Sequence, residues 1–306
     1  MLDSIIALFY NNMGFVLLFI IFISLILFTS FTLFILITIL SYSIPEKYVF
    51  YFFEKVSKFM NYMFNEEINK IKSNIKETFK INILHEIPKR SIRIWHPHGI
   101  SGLTPIIHNG YNLTHPNYIA SKGVAHSVFF NIPLLSTFIK YLNAIPSDYT
   151  TIKKTVSKES ISITVGGVDE MRRLKDKILE LVIKKRKGIF KIALETGTPI
   201  VPILTYGENE LFPESDNEFI QWFNNKLYEY LKLRISIPKF KSFINWLKIT
   251  NQPLNPIHTY TGRPIYVKKI DNPTLSHIQK LRNIYISRIT ELFNETNPGD
   301  FSLNIV

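Results

Sequence analysis

The chain has 306 residues, 46% of them apolar, with 36 Lys and Arg against 24 Asp and Glu for a net charge of +12. It contains no cysteine, which excludes disulfides, thiolate-bound zinc, iron–sulfur clusters and a thiol nucleophile. The length allows one large domain or two modest ones, and the basic excess favours an anionic partner: nucleic acid, an anionic membrane or a phosphate-bearing substrate.

Residues 4–45 carry no Asp, Glu, Lys, Arg or His, which makes 42 uncharged positions in a row. At about 1.5 Å per residue a helix of that length reaches roughly 60 Å, twice the hydrocarbon core of a bilayer. Residues 1–46 are therefore expected to form a membrane anchor. Two arrangements fit: a hairpin of short spans turning near Gly14 or near Thr29 and Ser30, or a single span over about 15–40. A cleaved signal peptide fits poorly, because the run is too long and no Lys or Arg precedes it. Residues 47–80 mix Lys47, Lys55 and Lys58 with aromatics, the pattern of an interfacial helix at a span's exit. The basic flank puts the C-terminal bulk on the cytosolic side. With such a membrane segment, nucleic acid is not expected as a partner.

Residues 81–306 alternate β-rich runs with helical patterns, which predicts an α/β fold: a mixed-sheet domain with flanking helices. Strands are expected at 91–95, ending on His96, at 161–165, stopping at Gly166 and Gly167, at 199–206, and at 263–267. The run at 199–206 is mostly apolar and should be buried on both faces. Residues 169–187 show helical spacing in part, with charges dense enough for an exposed element. Leu275, Ile278, Leu281, Tyr285, Ile289 and Leu292 recur at helical intervals after Pro273 and Thr274, a start signal.

Five of the eight histidines, His96, His98, His108, His115 and His126, fall within 31 residues. His96 and His98 follow a strand directly, where open α/β sheets place catalytic groups. Pro97 stiffens the link, and Gly99 frees the backbone so that its N–H can approach a developing oxyanion. A histidine there suits a general base, since its ordinary pKa near 6.5 lets it accept a hydroxyl proton. A metal site is the rival, the third ligand coming from His108, His115, His126 or a carboxylate, although no spacing is distinctive. A pair of solvent-facing or core histidines is the plain alternative. Gly166 and Gly167 allow a sharp turn or close approach to a ligand, but lack a phosphate-loop signature. Glu170 can orient and charge-stabilise an imidazolium, or be an ordinary surface carboxylate. The basic run at 184–188 can meet phosphates or simply be solvated. No GxSxG elbow is present, which leaves a serine hydrolase without an anchor.

Together these blocks resemble the type-2 diacylglycerol acyltransferase family, which includes monoacylglycerol acyltransferases and wax-ester synthases. The matching blocks stand in family order: HPHG at 96–99, VGGVDEM at 165–171, RKGIFKIALETGTPIVPILTYGENELF at 186–212 and TGRPIYV at 261–267. The resemblance covers about residues 90–295, and the long third block is its most specific part. It implies transfer of a fatty acyl group from acyl-CoA to the hydroxyl of a lipid alcohol, with diacylglycerol giving triacylglycerol, at an endoplasmic reticulum membrane. Monoacylglycerol or a fatty alcohol are alternative acceptors. The resemblance implies His98 as base, with His96 shaping the site and Glu170 as carboxylate partner. Pro97, Gly99, Gly166 and Gly167 fall to substrate and oxyanion contacts, and on electrostatic grounds Arg186, Lys187 and Gly188 are expected to receive the phosphates of CoA. Acyl-CoA is a co-substrate, no cofactor or resident metal is expected, and membrane lipids and a second copy of the chain are the remaining partners considered. Readings of another class are a non-catalytic membrane lipid-binding protein and a metal-dependent lipid hydrolase.

The chain departs from the family in two places. Thr104 and Pro105 stand where relatives continue toward Gly-Ala, and residues 219–250, rich in Lys and aromatics, replace a Gly-Arg-Gly element. That second region either shapes the acceptor site or lies on the bilayer. The related H-x4-D pattern fits less well, since the fifth residue after His96 is Ser101 and after His98 is Leu103.

Overall fold

A computed structural model of the protein describes residues 45–306 apart from 100–101, 112–117, 119, 133–134 and 236. The expected membrane anchor lies outside the described residues, and with it the choice between one span and a hairpin. No helix among the described residues is long and apolar enough to cross a membrane.

The stretch 47–80 differs from one interfacial helix. It forms α1 (Glu46–Met63) and α2 (Asn65–Thr78), broken at Phe64, and then enters β1 (Phe79–Ile83). Tyr48, Tyr51, Phe59 and Tyr62 of α1 are exposed, as the aromatic and basic pattern predicts. Ile68, Ile71 and Ile75 of α2 recur at helical spacing and are buried, and Asn74 bonds the Ile249 carbonyl at 2.8 Å. α2 thus packs on β1 and α10, and β1 enters the sheet from Phe79.

The chain then runs β2 (Ile92–His96), α3 (Leu103–Tyr111), β3 (Lys122–Ala125), α4 (Leu135–Tyr141), β4 (Ala144–Pro146), α5 (Tyr149–Val156) and β5 (Ile161–Ile163). Next come α6 (Val168–Met171), β6 (Ile178–Leu181), α7 (Gly188–Thr196), β7 (Ile200–Tyr206) and α8 (Glu208–Leu211). α9 (Glu218–Leu231), α10 (Phe240–Ile249), β8 (Ile257–Thr261), α11 (Leu275–Thr296) and β9 (Ser302–Ile305) complete it. Seven strands form one sheet in the order β1-β8-β7-β2-β5-β3-β4, parallel throughout except for the antiparallel β7–β8 pair. The fold is mixed α/β with a parallel-rich sheet.

β2 and β7 are buried along their whole length, as central parallel strands covered on both faces must be. α11 lies over β7 and presents Ile278, Leu281, Tyr285, Ile289 and Leu292 to the core, while Leu275, in its first turn, is exposed. Thr274 caps α11 by accepting from the His277 N–H, and His277 Nδ1 accepts from the Thr274 N–H.

Two sequence expectations are corrected. The strand expected at 263–267 lies earlier, at Ile257–Thr261; Gly262 then packs against Pro202 and Leu292, and Pro264 offers no N–H to continue a ladder. Only Ile265 pairs again, exchanging backbone bonds of 2.8 and 3.0 Å with Ile200. Residues 169–187 are helical only at Val168–Met171, and β6 then pairs in parallel with β9, more than a hundred residues later. The charges of 172–187 therefore flank a short strand instead of lining a helix.

Candidate active site

Register brings the site together. β2 lies between β5 and β7, with Ile94 opposite Ile163 and His96 opposite Leu204. Because all three strands run the same way, the turns after His96, Ile163 and Tyr206 emerge side by side at the carboxyl edge of the sheet.

Glu170 is the hub. Its Oε1 faces His96 Nδ1 at 2.9 Å and accepts from the Val182 N–H at 2.9 Å, while Oε2 accepts from the His98 N–H at 2.9 Å. Both His96 and Glu170 are buried, so the surface-carboxylate reading of Glu170 is replaced. The carboxylate fixes an imidazole through its side chain and the next histidine through its main chain. Gly166 makes this possible: a Cβ there would sit 1.9 Å from Glu170 Cδ.

His98 is half-buried, after a cis His96–Pro97 peptide. Its Nδ1 lies 3.2 Å from the Gly99 carbonyl. A carbonyl only accepts, so Nδ1 carries the proton and Nε2 holds the basic lone pair. Burial lowers the His98 pKa below its ordinary 6.5, partly offset by the Glu170 charge. His96 is a second tautomer of the same kind, Nδ1 toward the carboxylate and Nε2 without a partner among the described residues. Its ring lies 6.1 Å from that of Tyr285, whose buried hydroxyl is likewise unpartnered among them.

A second carboxyl group comes from the other neighbour of β2, β7. Glu208, just past β7, is buried against Gly99, where a Cβ would fall 2.0 Å from Glu208 Oε1. Gly99 has φ +66°, which favours glycine independently. Glu208 Oε2 accepts from the Thr104 N–H at 3.2 Å and from the Thr104 hydroxyl. Burial raises the Glu208 pKa to about 7. The departure at Thr104 thus supplies the partner that steadies a carboxyl group beneath the histidine turn. The sequence signal for Glu208 was its place at the end of the most specific block; its closeness to Gly99 is a matter of strand order.

The remaining candidates are placed as follows. Gly167 has φ +52° and spends its N–H on the Thr164 carbonyl at 3.1 Å. Arg186 Nη2 donates to the Gly166 carbonyl at 2.6 Å and to Asp169 at 2.8 Å, so it braces the turn that carries Glu170. Lys187 and Gly188 are exposed at the amino end of α7. Asp169 also accepts from the Tyr228 hydroxyl at 2.7 Å, and the Arg172 guanidinium lies 3.9 Å over the Tyr228 ring, docking α9 on the same turn.

His108 stands apart, buried and stacked on Trp95 at 5.6 Å; burial alone lowers its pKa to about 3. His126 Nδ1 accepts from the Val128 N–H at the start of a short 3-10 turn, and His115 lies outside the described residues. Among the described residues no group of three or more His, Asp or Glu is placed to hold a metal ion.

Fold and site define an α/β protein that presents a histidine at the carboxyl edge of a parallel-rich sheet, braced by a buried glutamate. The chain matches the sequence model of the family described as diacylglycerol acyltransferase over residues 25–300, and it belongs to that family. It is 29% identical to 2-acylglycerol O-acyltransferase 1 of Homo sapiens over 213 residues, 66% of this chain and 63% of that one. It is 28% identical to diacylglycerol O-acyltransferase 2A of Umbelopsis ramanniana over 218 residues, 65% and 60% of the two chains. The chain thus spans about six-tenths of the length of these relatives. A solved structure, the 1-acyl-sn-glycerophosphate (LPA) acyltransferase PlsC from Thermotoga maritima, aligns over 94% of this chain and 95% of its own with a TM-score of 0.43 and 14% identity.

Proposed function

We propose that the protein transfers a fatty acyl group from acyl-CoA to the hydroxyl of diacylglycerol, forming triacylglycerol and free CoA. One observation carries the chemistry: Glu170 holds both His96 and the backbone of His98, leaving His98 Nε2 as the basic atom of the turn. His98 Nε2 takes the proton of the acceptor hydroxyl as its oxygen attacks the thioester carbonyl. The Gly99 N–H is assigned to the oxyanion of the tetrahedral intermediate, with Pro97 and Gly166 shaping the floor. When the carbon–sulfur bond breaks, the CoA thiolate leaves and the imidazolium returns the proton to it. Thiolate is a good leaving group, so no acyl-enzyme is needed.

Lys187 and the amino end of α7, from Gly188, are assigned to the phosphates of acyl-CoA; Arg186 acts through the Gly166–Asp169 turn. The 42 uncharged residues at 4–45 support an integral membrane protein, the basic flank at Lys47, Lys55 and Lys58 supports a site toward the cytosol, and the family resemblance supports the endoplasmic reticulum as its membrane. Monoacylglycerol is a second acceptor, favoured by the 29% identity to a 2-acylglycerol O-acyltransferase.

The test is expression in cells without neutral lipid synthesis, fed labelled fatty acid, with His98→Ala in parallel. New triacylglycerol is expected from the wild type. His98→Ala should lower it about 10²–10⁴-fold, the worth of a general base. No new ester refutes the enzyme reading, and ester that survives His98→Ala refutes the base assignment.

A further inference from the structure

α9 is built inside out, and α10 shares the arrangement in part. At 100° per residue, Phe219, Trp222, Phe223, Lys226 and Tyr230 share one stripe of α9, while Gln221, Asn224 and Tyr228 share the opposite one. The polar stripe is the inner one. Asn224 is fully buried and bonds the Ile235 carbonyl at 3.0 Å and the Ile235 N–H at 2.9 Å. Gln221 donates to the Ser215 carbonyl at 2.6 Å, and Tyr228 to Asp169 at 2.7 Å. The aromatic stripe faces out, with Phe219 70%, Trp222 56% and Tyr230 75% exposed.

α10 follows in part. Its inner stripe pairs core residues Trp246 and Ile249 with buried Ser242 and Asn245, which bond the Pro213 and Leu211 carbonyls at 2.9 and 2.7 Å, whereas Phe240 is 76% and Phe243 50% exposed. A helix facing water carries its apolar stripe inward and its polar stripe outward. The reverse pattern along α9, continued by the exposed phenylalanines of α10, makes an outer surface suited to an apolar surrounding. Basic residues complete it: Lys226, Lys232, Lys241 and Lys248 are exposed beside the aromatics.

We propose that the outer faces of α9 and α10 seat in the interface of a lipid bilayer with anionic headgroups, the aromatics at the acyl boundary and the lysines on the phosphates. Long lysine stems let Lys226 lie within the aromatic stripe and still reach the headgroups. The helices would then form a second membrane contact, some 170 residues beyond the uncharged N-terminal segment. Tyr228 links that contact directly to Asp169, the neighbour of Glu170. The inference does not draw on acyl transfer, and its test reads no activity.

The full chain is reconstituted in phosphatidylcholine/phosphatidylserine vesicles whose acyl chains are brominated near the headgroup. Tryptophan emission is compared with that of Trp222→Phe. Bromine quenches at contact range, and the other two tryptophans, Trp95 and Trp246, are common to both proteins, so the difference between them reports Trp222. Loss of most of the Trp222 emission in brominated vesicles is expected, stronger with phosphatidylserine than without it. Unquenched, water-like Trp222 emission would overturn the proposal. Unquenched but blue-shifted emission would overturn it too, because the face would then be covered by protein, such as a second copy of the chain.

Discussion

Replacing Gly166 by alanine adds one methyl group, yet the structure predicts a loss larger than that of many core deletions. The new Cβ would stand 1.9 Å from Cδ, 2.2 Å from Cγ and 2.2 Å from Oε1 of Glu170. A flexible surface glutamate would swing aside at little cost, but this one is buried and accepts from His98 N–H and Val182 N–H while facing His96 Nδ1. Hydrogen bonds to a charged group contribute about 1.5–3 kcal/mol each. Forfeiting two of the three costs about 3–6 kcal/mol, a large share of the ~5–15 kcal/mol that holds a domain together. Urea unfolding of the full chain in detergent micelles measures this, with triacylglycerol synthesis measured at a temperature where the variant stays folded. Synthesis should fall with stability, since the same displacement frees His96 and the His98 backbone. A loss below about 1 kcal/mol with synthesis intact would refute the hub role of Glu170.

Glu208 has its pKa raised from 4.5 to about 7 by burial, so between those values the folded protein binds a proton that the unfolded chain does not. Its contribution to stability is therefore lost as pH rises through that window, by up to about 3 kcal/mol. Urea midpoints measured from pH 5 to 8 should fall in the wild type and flatten in Glu208→Gln, whose neutral amide can still accept from Thr104. Burial lowers the His98 pKa, so the acidic limb of the pH–rate profile for acyl transfer should lie below pH 6.5; a limb above that value would argue against a desolvated base. Tyr228→Phe keeps the ring under Arg172 but removes the bond to Asp169. It should cost about 1 kcal/mol and raise amide exchange in the second half of α9, readable by mass spectrometry.

Much of the site was legible because its signals are local. A β-rich run ending in His-Pro-His-Gly, and another ending in Gly-Gly, mark strand ends within a few residues, and α11 is written in its own spacing from Ile278 to Leu292. Residue types alone also limited the chemistry: without cysteine or a serine elbow, histidine and carboxylate were left. What the sequence could not supply was adjacency. Glu170 and Glu208 reach the histidine turn only because β2 lies between β5 and β7, and strand order depends on pairings between residues far apart in the chain. The same holds for β6, a strand only because β9 returns to pair with it. The Lys- and aromatic-rich stretch at 219–250 shows the division most sharply. Its composition was plain, but whether those rings face the core or the outside depends on which stripe carries the amides that bond the neighbouring backbone. Tertiary packing turned the polar side chains inward, where Asn245, Ser242 and Asn224 donate to the carbonyls of Leu211, Pro213 and Ile235, a role that an aromatic face cannot fill.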